Sequence, residues 1–116
     1  MTDHSSGIAA EELAARYLAT QGLRVVARNF RCRFGEIDLI AKDGDALVFV
    51  EVRLRRSSRF GGAPASITHA KQKKLIATAR FYLSGLRAVP SCRFDATLLD
   101  ALDARRIEWL RDIISE

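Results

Sequence analysis

Three acids and one base, Glu36, Asp38, Glu51 and Arg53, stand in two runs of otherwise apolar and β-branched sequence, Gly35 to Lys42 and Ala46 to Leu54. Acids placed in strands can hold a hard cation such as Mg²⁺ or Mn²⁺ through oxygen ligands, provided they share one side of a sheet. The dipeptide Asp43-Gly44 between the runs is a strong hairpin signal. An even loop, two residues at Asp43-Gly44 or four at Lys42 to Asp45, sets Asp38 opposite Phe49 and Glu36 opposite Glu51. Opposed residues share a face and side chains alternate along a strand, so Glu36, Asp38, Glu51 and Arg53 project together. The Asp38 to Glu51 diagonal then brings two like charges within about 8 Å, which is destabilising unless a metal ion or Arg53 lies between them. Ile40, Leu47 and Phe49 share that face, so the acids are partly buried and need a compensating reason. The opposite face, Ile37, Leu39 and Ala41 with Val48, Val50 and Val52, is wholly apolar and reads as core.

Glu11 lies on the helical line through Ala14 and Leu18 and borders the buried stripe of a first helix, from where it can join the cluster. Glu12 lines up with Arg16 instead and reads as solvated. Gln72 and Lys71 open a second helix at the end of its buried stripe. There they reach a ligand over the sheet or, for Gln72, make a capping or solvent contact. His4 and His69 are isolated, and Trp109 reads as a packing residue. Cys32 and Cys92 have neither the spacing nor the histidine neighbours of a zinc site and read as free thiols.

Basic charge is local. Residues 51 to 90 hold nine Lys and Arg against the single acid Glu51, whereas residues 1 to 50 hold six against seven. A one-signed patch of this kind attracts polyanions such as nucleic acid.

The elements that must position these groups are legible in outline. Ser5 or Ser6 can cap a helix running to about Gln21 and stopped by Gly22. Leu23 to Phe30, Gly35 to Lys42 and Ala46 to Leu54 read as strands. Arg55 to Ser66 has the composition of a loop, and Thr68 to Leu86 is a helix with Gln72, Leu75, Ile76, Ala79, Leu83 and Leu86 on one face. Arg93 to Leu99 and Arg105 to Leu110 complete the order αβββαββ. A chain of 116 residues closes one core, so residues 1–116 read as a single domain. Its longest apolar run, Ala46 to Val50, is far too short to cross a bilayer, and the polar start at Thr2, Asp3 and His4 is unlike a signal peptide, which points to the cytoplasm.

The run Gly35-Glu36-Ile37-Asp38-Leu39-Ile40, followed by Val48-Phe49-Val50-Glu51-Val52-Arg53 and Arg55, resembles the core of the YraN family of uncharacterised bacterial proteins. The similarity extends over Gly7, Glu11, Ala14, Tyr17 and Leu18, Asn29 and Arg31, Phe60-Gly61, Lys71 and Lys74, and Arg93-Phe94-Asp95. That family resembles Holliday-junction resolvases and RecB-type nucleases. The resemblance implies a restriction-endonuclease-like α/β fold with a mixed central sheet flanked by helices, and an endonuclease dependent on Mg²⁺ or Mn²⁺. Carried over, Asp38 and Glu51 are the metal acids, Glu11 the helix-borne carboxylate, and Gln72 resembles the helical glutamine of the RecB-type pattern. Arg53 stands where those nucleases have lysine. Arg55, Arg56, Arg59, Lys71, Lys73 and Lys74 would contact phosphates, on DNA in preference to RNA, and by analogy with resolvases the protein would be a homodimer. The alternatives are a nucleic-acid-binding relative weakened by Arg53, and a protein adaptor that uses the basic helix.

Overall fold

The computed structural model describes residues 2–54, 68–100 and 104–114, with side chains of the first helix described from Gly7 onward. Helix α1 spans Thr2–Thr20 and therefore begins ahead of Ser5 and Ser6, which lie within it and do not cap it. Its end is a Schellman motif: Gly22 sits at φ 94°, its N–H donates to Ala19 O (3.1 Å), and the Leu23 N–H donates to Leu18 O (3.1 Å). Leu18 and Leu23 are both buried in the same cluster, the apolar contact that accompanies this cap.

Strands β1 (Arg24–Cys32), β2 (Gly35–Asp43) and β3 (Ala46–Leu54) form an antiparallel meander. Helix α2 (His69–Leu83) carries the chain across to β4 (Cys92–Leu99), which pairs parallel to β3, as such a pairing requires a crossover. A 3₁₀ turn at Ala104–Arg106 leads into β5 (Ile107–Leu110), antiparallel to β4. The five-stranded sheet is thus mixed and ordered β1-β2-β3-β4-β5. The expected α/β class and the order αβββαββ hold. Among the described residues no helix is long and apolar enough to cross a membrane.

Each helix covers one face of the sheet. Ala14, Ala15 and Leu18 of α1 pack with Leu39, Ala41, Val48 and Val50. Leu75 and Ala79 of α2 pack with Ile37, Ile40, Leu47 and Phe49. Ile37 therefore belongs with Ile40, three positions on, and not with Leu39 and Ala41 as strict alternation demanded. The reason lies across the ladder. Between the Arg28–Leu39 and Phe30–Ile37 pairs, Asn29 adopts φ 50° opposite Asp38, and Ala27 and Phe30 likewise fall on one side. A left-handed residue adds local twist and re-aims the side chains beyond it, a role asparagine tolerates better than most.

Helix α2 is capped by Thr68, whose hydroxyl accepts the Lys71 N–H at 3.1 Å. It ends at Leu83, short of the expected Leu86, because Ser84 and Gly85 are poor helix residues and the chain tightens there, with the Leu86 N–H donating to Leu83 O at 2.9 Å. Leu86 consequently leaves the buried face and is 39% exposed.

Candidate acidic site

The hairpin turn is Gly44-Asp45, with Gly44 at φ 62°, Asp43 paired to Ala46 and Ile40 to Phe49. The expected pairing of Asp38 with Phe49 is corrected by two residues, and the expected Glu36–Glu51 pair is absent from the ladder, which stops at Leu39–Val50. A two-residue shift by itself preserves the face of each side chain, so Asp38 and Glu51 still meet, and the exception at Ile37 comes from the Asn29 irregularity. The ladder's last pair is Leu39–Val50, and one step beyond it the Asp38 carboxylate replaces a ladder carbonyl: its Oδ2 accepts the Val52 N–H at 2.8 Å.

Asp38 and Glu51 line one cleft of about 380 Å³, together with Gly35, Glu36, Lys71 and Lys74. On the other side, Asp38 and Glu36 line a second cleft of about 350 Å³ with Glu11, Asn29 and Arg31. Asp38 is thus the wall between an α2-side cleft holding Glu51 and an α1-side cleft holding Glu11. Burial pushes its carboxyl up to about 7, the Glu51, Glu11 and Glu36 charges add to the rise, and the Val52 N–H opposes it. Among the described residues, no three His, Cys, Asp or Glu side chains stand close enough to hold one ion jointly. Asp38 and Glu51 share one cleft, and among the neighbouring charges Glu51 raises the Asp38 carboxyl the most.

Glu51 is buried, at 7% exposure, and carries its own counter-ion. The Lys71 ammonium lies 2.7 Å from its Oε2, while Arg53 Nε is 3.9 Å away. Lysine is absent at position 53 of the strand, yet a lysine reaches the same carboxylate from the first turn of α2. Replacing Lys71 by Met removes the shorter, charge-assisted bond from a buried acid and should cost about 1–3 kcal/mol in urea unfolding at neutral pH. Arg53→Met, acting at longer range on a third-exposed side chain, should cost less than about 1 kcal/mol. Equal costs would contradict this division of labour.

The remaining expected residues fall as follows. Glu36 is exposed and ion-paired to Arg31 at 3.2 Å. Gln72 is half-buried in the first turn of α2, its N–H bonded to Thr68 O at 2.9 Å, and is not among the described residues lining the acidic cleft. Lys73 and Lys74 are exposed, and Lys74 borders the cleft. Arg55, Arg56 and Arg59, and with them Phe60, lie outside the described residues. Glu12 receives Arg16 at 2.8 Å and Arg28 at 2.6 Å, as a solvated acid should. Cys32 and Cys92 are free.

Sequence reasoning missed two contributors. Asn29 could have been suspected only from its tolerance of positive φ. The Lys71 to Glu51 bond joins elements twenty positions apart, and no spacing rule predicts it.

The sequence model of the uncharacterised protein family UPF0102 matches residues 10–99. A UPF0102 protein of Nitrosospira multiformis is 54% identical over 112 residues, covering 97% of this chain and 94% of its own length. One from Methylobacillus flagellatus is 58% identical over 106 residues, 91% of this chain and 93% of its own length. A third, from Nitrosomonas europaea, is 53% identical over 112 residues, 97% and 95% of the two chains. With the family's match spanning strands β1 to β4, helix α2, the second half of α1 and the paired acids, the chain belongs to the uncharacterised protein family UPF0102, the YraN family.

Proposed function

We propose that this chain is a metal-dependent endonuclease of restriction-endonuclease-like fold that hydrolyses phosphodiester bonds of DNA, branched DNA included. The observation that carries this reading is the half-buried Asp38 carboxyl, held near 7 by burial and by Glu51 in a cleft bordered by exposed lysine. A fold that gathers negative charge against its own stability, beside basic groups, suits a cation and a polyanion together.

The donors fit a hard divalent ion. Both are carboxylates, and Mg²⁺ takes one or two of these and completes its shell with water and substrate phosphate, so a third protein ligand is not required. Asp38 and Glu51 would hold the ion, with Glu11 facing Asp38 from the α1 side. When bound, such an ion supplies Lewis acidity at the phosphate and makes water a usable nucleophile at neutral pH. Lys71 fixes the orientation of the Glu51 carboxylate. Arg53 adds fixed positive charge near the cleft, but a guanidinium does not accept a proton in catalysis. Lys73 and Lys74 attract phosphates without reading base sequence, and the reading assigns Arg55, Arg56, Arg59 and Gln72 to the same substrate.

A second reading, nucleic-acid binding without turnover, is favoured by the Lys71 ammonium already engaging Glu51 at 2.7 Å. Incubation of junction, flap and linear DNA with Mg²⁺ or Mn²⁺ separates the two. The nuclease reading expects cleavage that Asp38→Ala and Glu51→Ala each reduce by more than roughly 100-fold, since even outer partners of metal ligands are worth about 10- to 100-fold. Cleavage retained in both variants rejects the site. Salt-dependent binding with no product leaves the second reading.

A further inference from the structure

Phe34 and Phe81 are the large aromatic side chains that the described surface exposes, at 40% and 46%. They stand side by side, ring centroids 6.1 Å apart and tilted 59°. They are not loose. Phe30 lies 6.3 Å from Phe81 and edge-on to Tyr82 at 5.1 Å, and Tyr82 in turn meets the core ring of Phe49 at 6.1 Å. The exposed pair is the outer end of an aromatic run rooted in the core, so it is presented at little conformational cost.

Its border is basic. The Arg33 guanidinium lies 4.9 Å over the Phe34 ring, the Arg31 side chain is 67% exposed while bridging Glu36, and Lys74, beside Gly35, is exposed on α2. The pair is also tied to the acidic cleft. Phe34 immediately precedes Gly35 and Glu36, which line it. At Gly35 a Cβ would stand 3.1 Å from Thr78 Oγ1 and 3.7 Å from Lys74 Cβ, so the β1–β2 turn rests directly on α2 and sets Phe34 against Phe81. Ten residues of helix separate Lys71 from Phe81, about 15 Å along the axis. A polyanionic strand held at the cleft and running along α2 reaches the rings within a few nucleotides.

We propose that Phe34, Phe81 and Arg33 form a stacking platform for an unpaired nucleobase, so that the nucleic acid taken by this chain is one with single-stranded character. The inference rests on the nucleic-acid part of the function proposed above and is independent of cleavage. Every base offers a π face to an aromatic ring or a guanidinium plane, whereas in a duplex those faces are already stacked. An apolar protein partner would desolvate Arg31, Arg33 and Lys74 and offer them no new anion, while a nucleic-acid strand brings phosphates to them.

The test is fluorescence anisotropy in EDTA, with a labelled mixed-sequence single strand and a blunt duplex of the same sequence. Wild type, Phe34→Ala/Phe81→Ala and Phe34→Tyr/Phe81→Tyr are compared. Wild type should prefer the single strand. The alanine pair should lose roughly tenfold or more in single-strand affinity, with duplex affinity changed less than about twofold, and the tyrosine pair should retain binding. Photocrosslinking of a 5-iodouracil strand to wild-type protein, which does not depend on the variants folding, should label the Phe34 or Phe81 peptide. Unchanged single-strand affinity in the alanine pair, or crosslinks confined elsewhere, overturns the platform and leaves the nucleic-acid reading standing. No binding of either DNA by wild type at low salt overturns both. A change from dimer to monomer in the alanine pair without loss of DNA affinity makes the rings a self-contact and overturns the platform. Loss of single-strand binding in a protein with no detectable nuclease activity supports the platform while removing the enzymatic reading.

Discussion

Asp38→Asn should be more stable than the wild type at pH 7.5 in EDTA, by about 2–4 kcal/mol, and should lose any stabilisation that divalent cations confer. The carboxyl is raised from 3.8 to about 7, first by burial and then by Glu51. Below pH 4 it is protonated in both folded and unfolded chains and does not tilt the balance. Between about pH 4 and 7 the unfolded chain gives up this proton while the folded chain keeps it, so the native state binds more protons and its stability falls as pH rises, by up to about 1.4 kcal/mol per unit. Above about 7 both forms are ionised and the penalty is constant. Asparagine is uncharged throughout and still offers an oxygen to the Val52 N–H, so the variant should lack this slope and match the wild type at low pH. A bound cation competes with the proton at the same carboxyl. Mg²⁺ or Mn²⁺ should therefore raise the wild-type unfolding midpoint at pH 7.5, less at pH 5.5, and not in the variant. Urea unfolding at several pH values, with and without metal, reads all of this. Parallel pH curves for the two proteins, with Asp38→Asn the less stable, would refute it.

How far this site could be read from sequence follows from what each inference needed. Parity was enough to put Asp38 and Glu51 on one cleft, because side chains repeat every second residue and a two-residue register error preserves the face. Register itself was not legible, since Asp43-Gly44 and Gly44-Asp45 are both chemically acceptable turns. Alternation puts Ile37 on the wrong face because it assumes a regular ladder, and Asn29 breaks it at φ 50° on the neighbouring strand. The helix end at Leu83 was overrun because Leu86 keeps the apolar period beyond the point where Ser84 and Gly85 release the backbone. Charge alone makes Lys71 a phosphate contact, and only packing of α2 on the sheet brings its ammonium to Glu51. Local rules thus located the acids. The groups that compensate them come from elements remote in sequence, where no period operates.

Asp95 shows the same limit and gives the second large effect. The resemblance marked Arg93-Phe94-Asp95 without a role for it, and the structure makes Asp95 a fully buried hub at 0% exposure. Its carboxylate accepts Arg93 Nε at 3.0 Å, Trp109 Nε1 at 2.9 Å and the Asp112 N–H at 2.9 Å. Arg93 also reaches Asp43 at 3.0 Å, so one buried acid ties β4 to β5, to the segment after β5 and, through the arginine, to the end of β2. Asp95→Ala leaves an indole N–H and a backbone N–H without their acceptor and the guanidinium with Asp43 alone, and removal of one partner from such a pair costs about 3–5 kcal/mol. Against a total of about 5–15 kcal/mol for a small domain, much of the native margin goes. Asp95→Asn keeps an oxygen for part of the set and should cost less. Adding Arg93→Met to Asp95→Asn should then cost less than the sum of the two single changes, because both remove the same Arg93–Asp95 bond. Trp109, the single tryptophan, reports directly: its emission should shift in Asp95→Ala under conditions where the rest of the chain is still folded. An unfolding midpoint within experimental error of wild type for Asp95→Ala would mean that the hub does not hold these elements together, and that the strand next to Glu51 is braced by the two helical clusters alone.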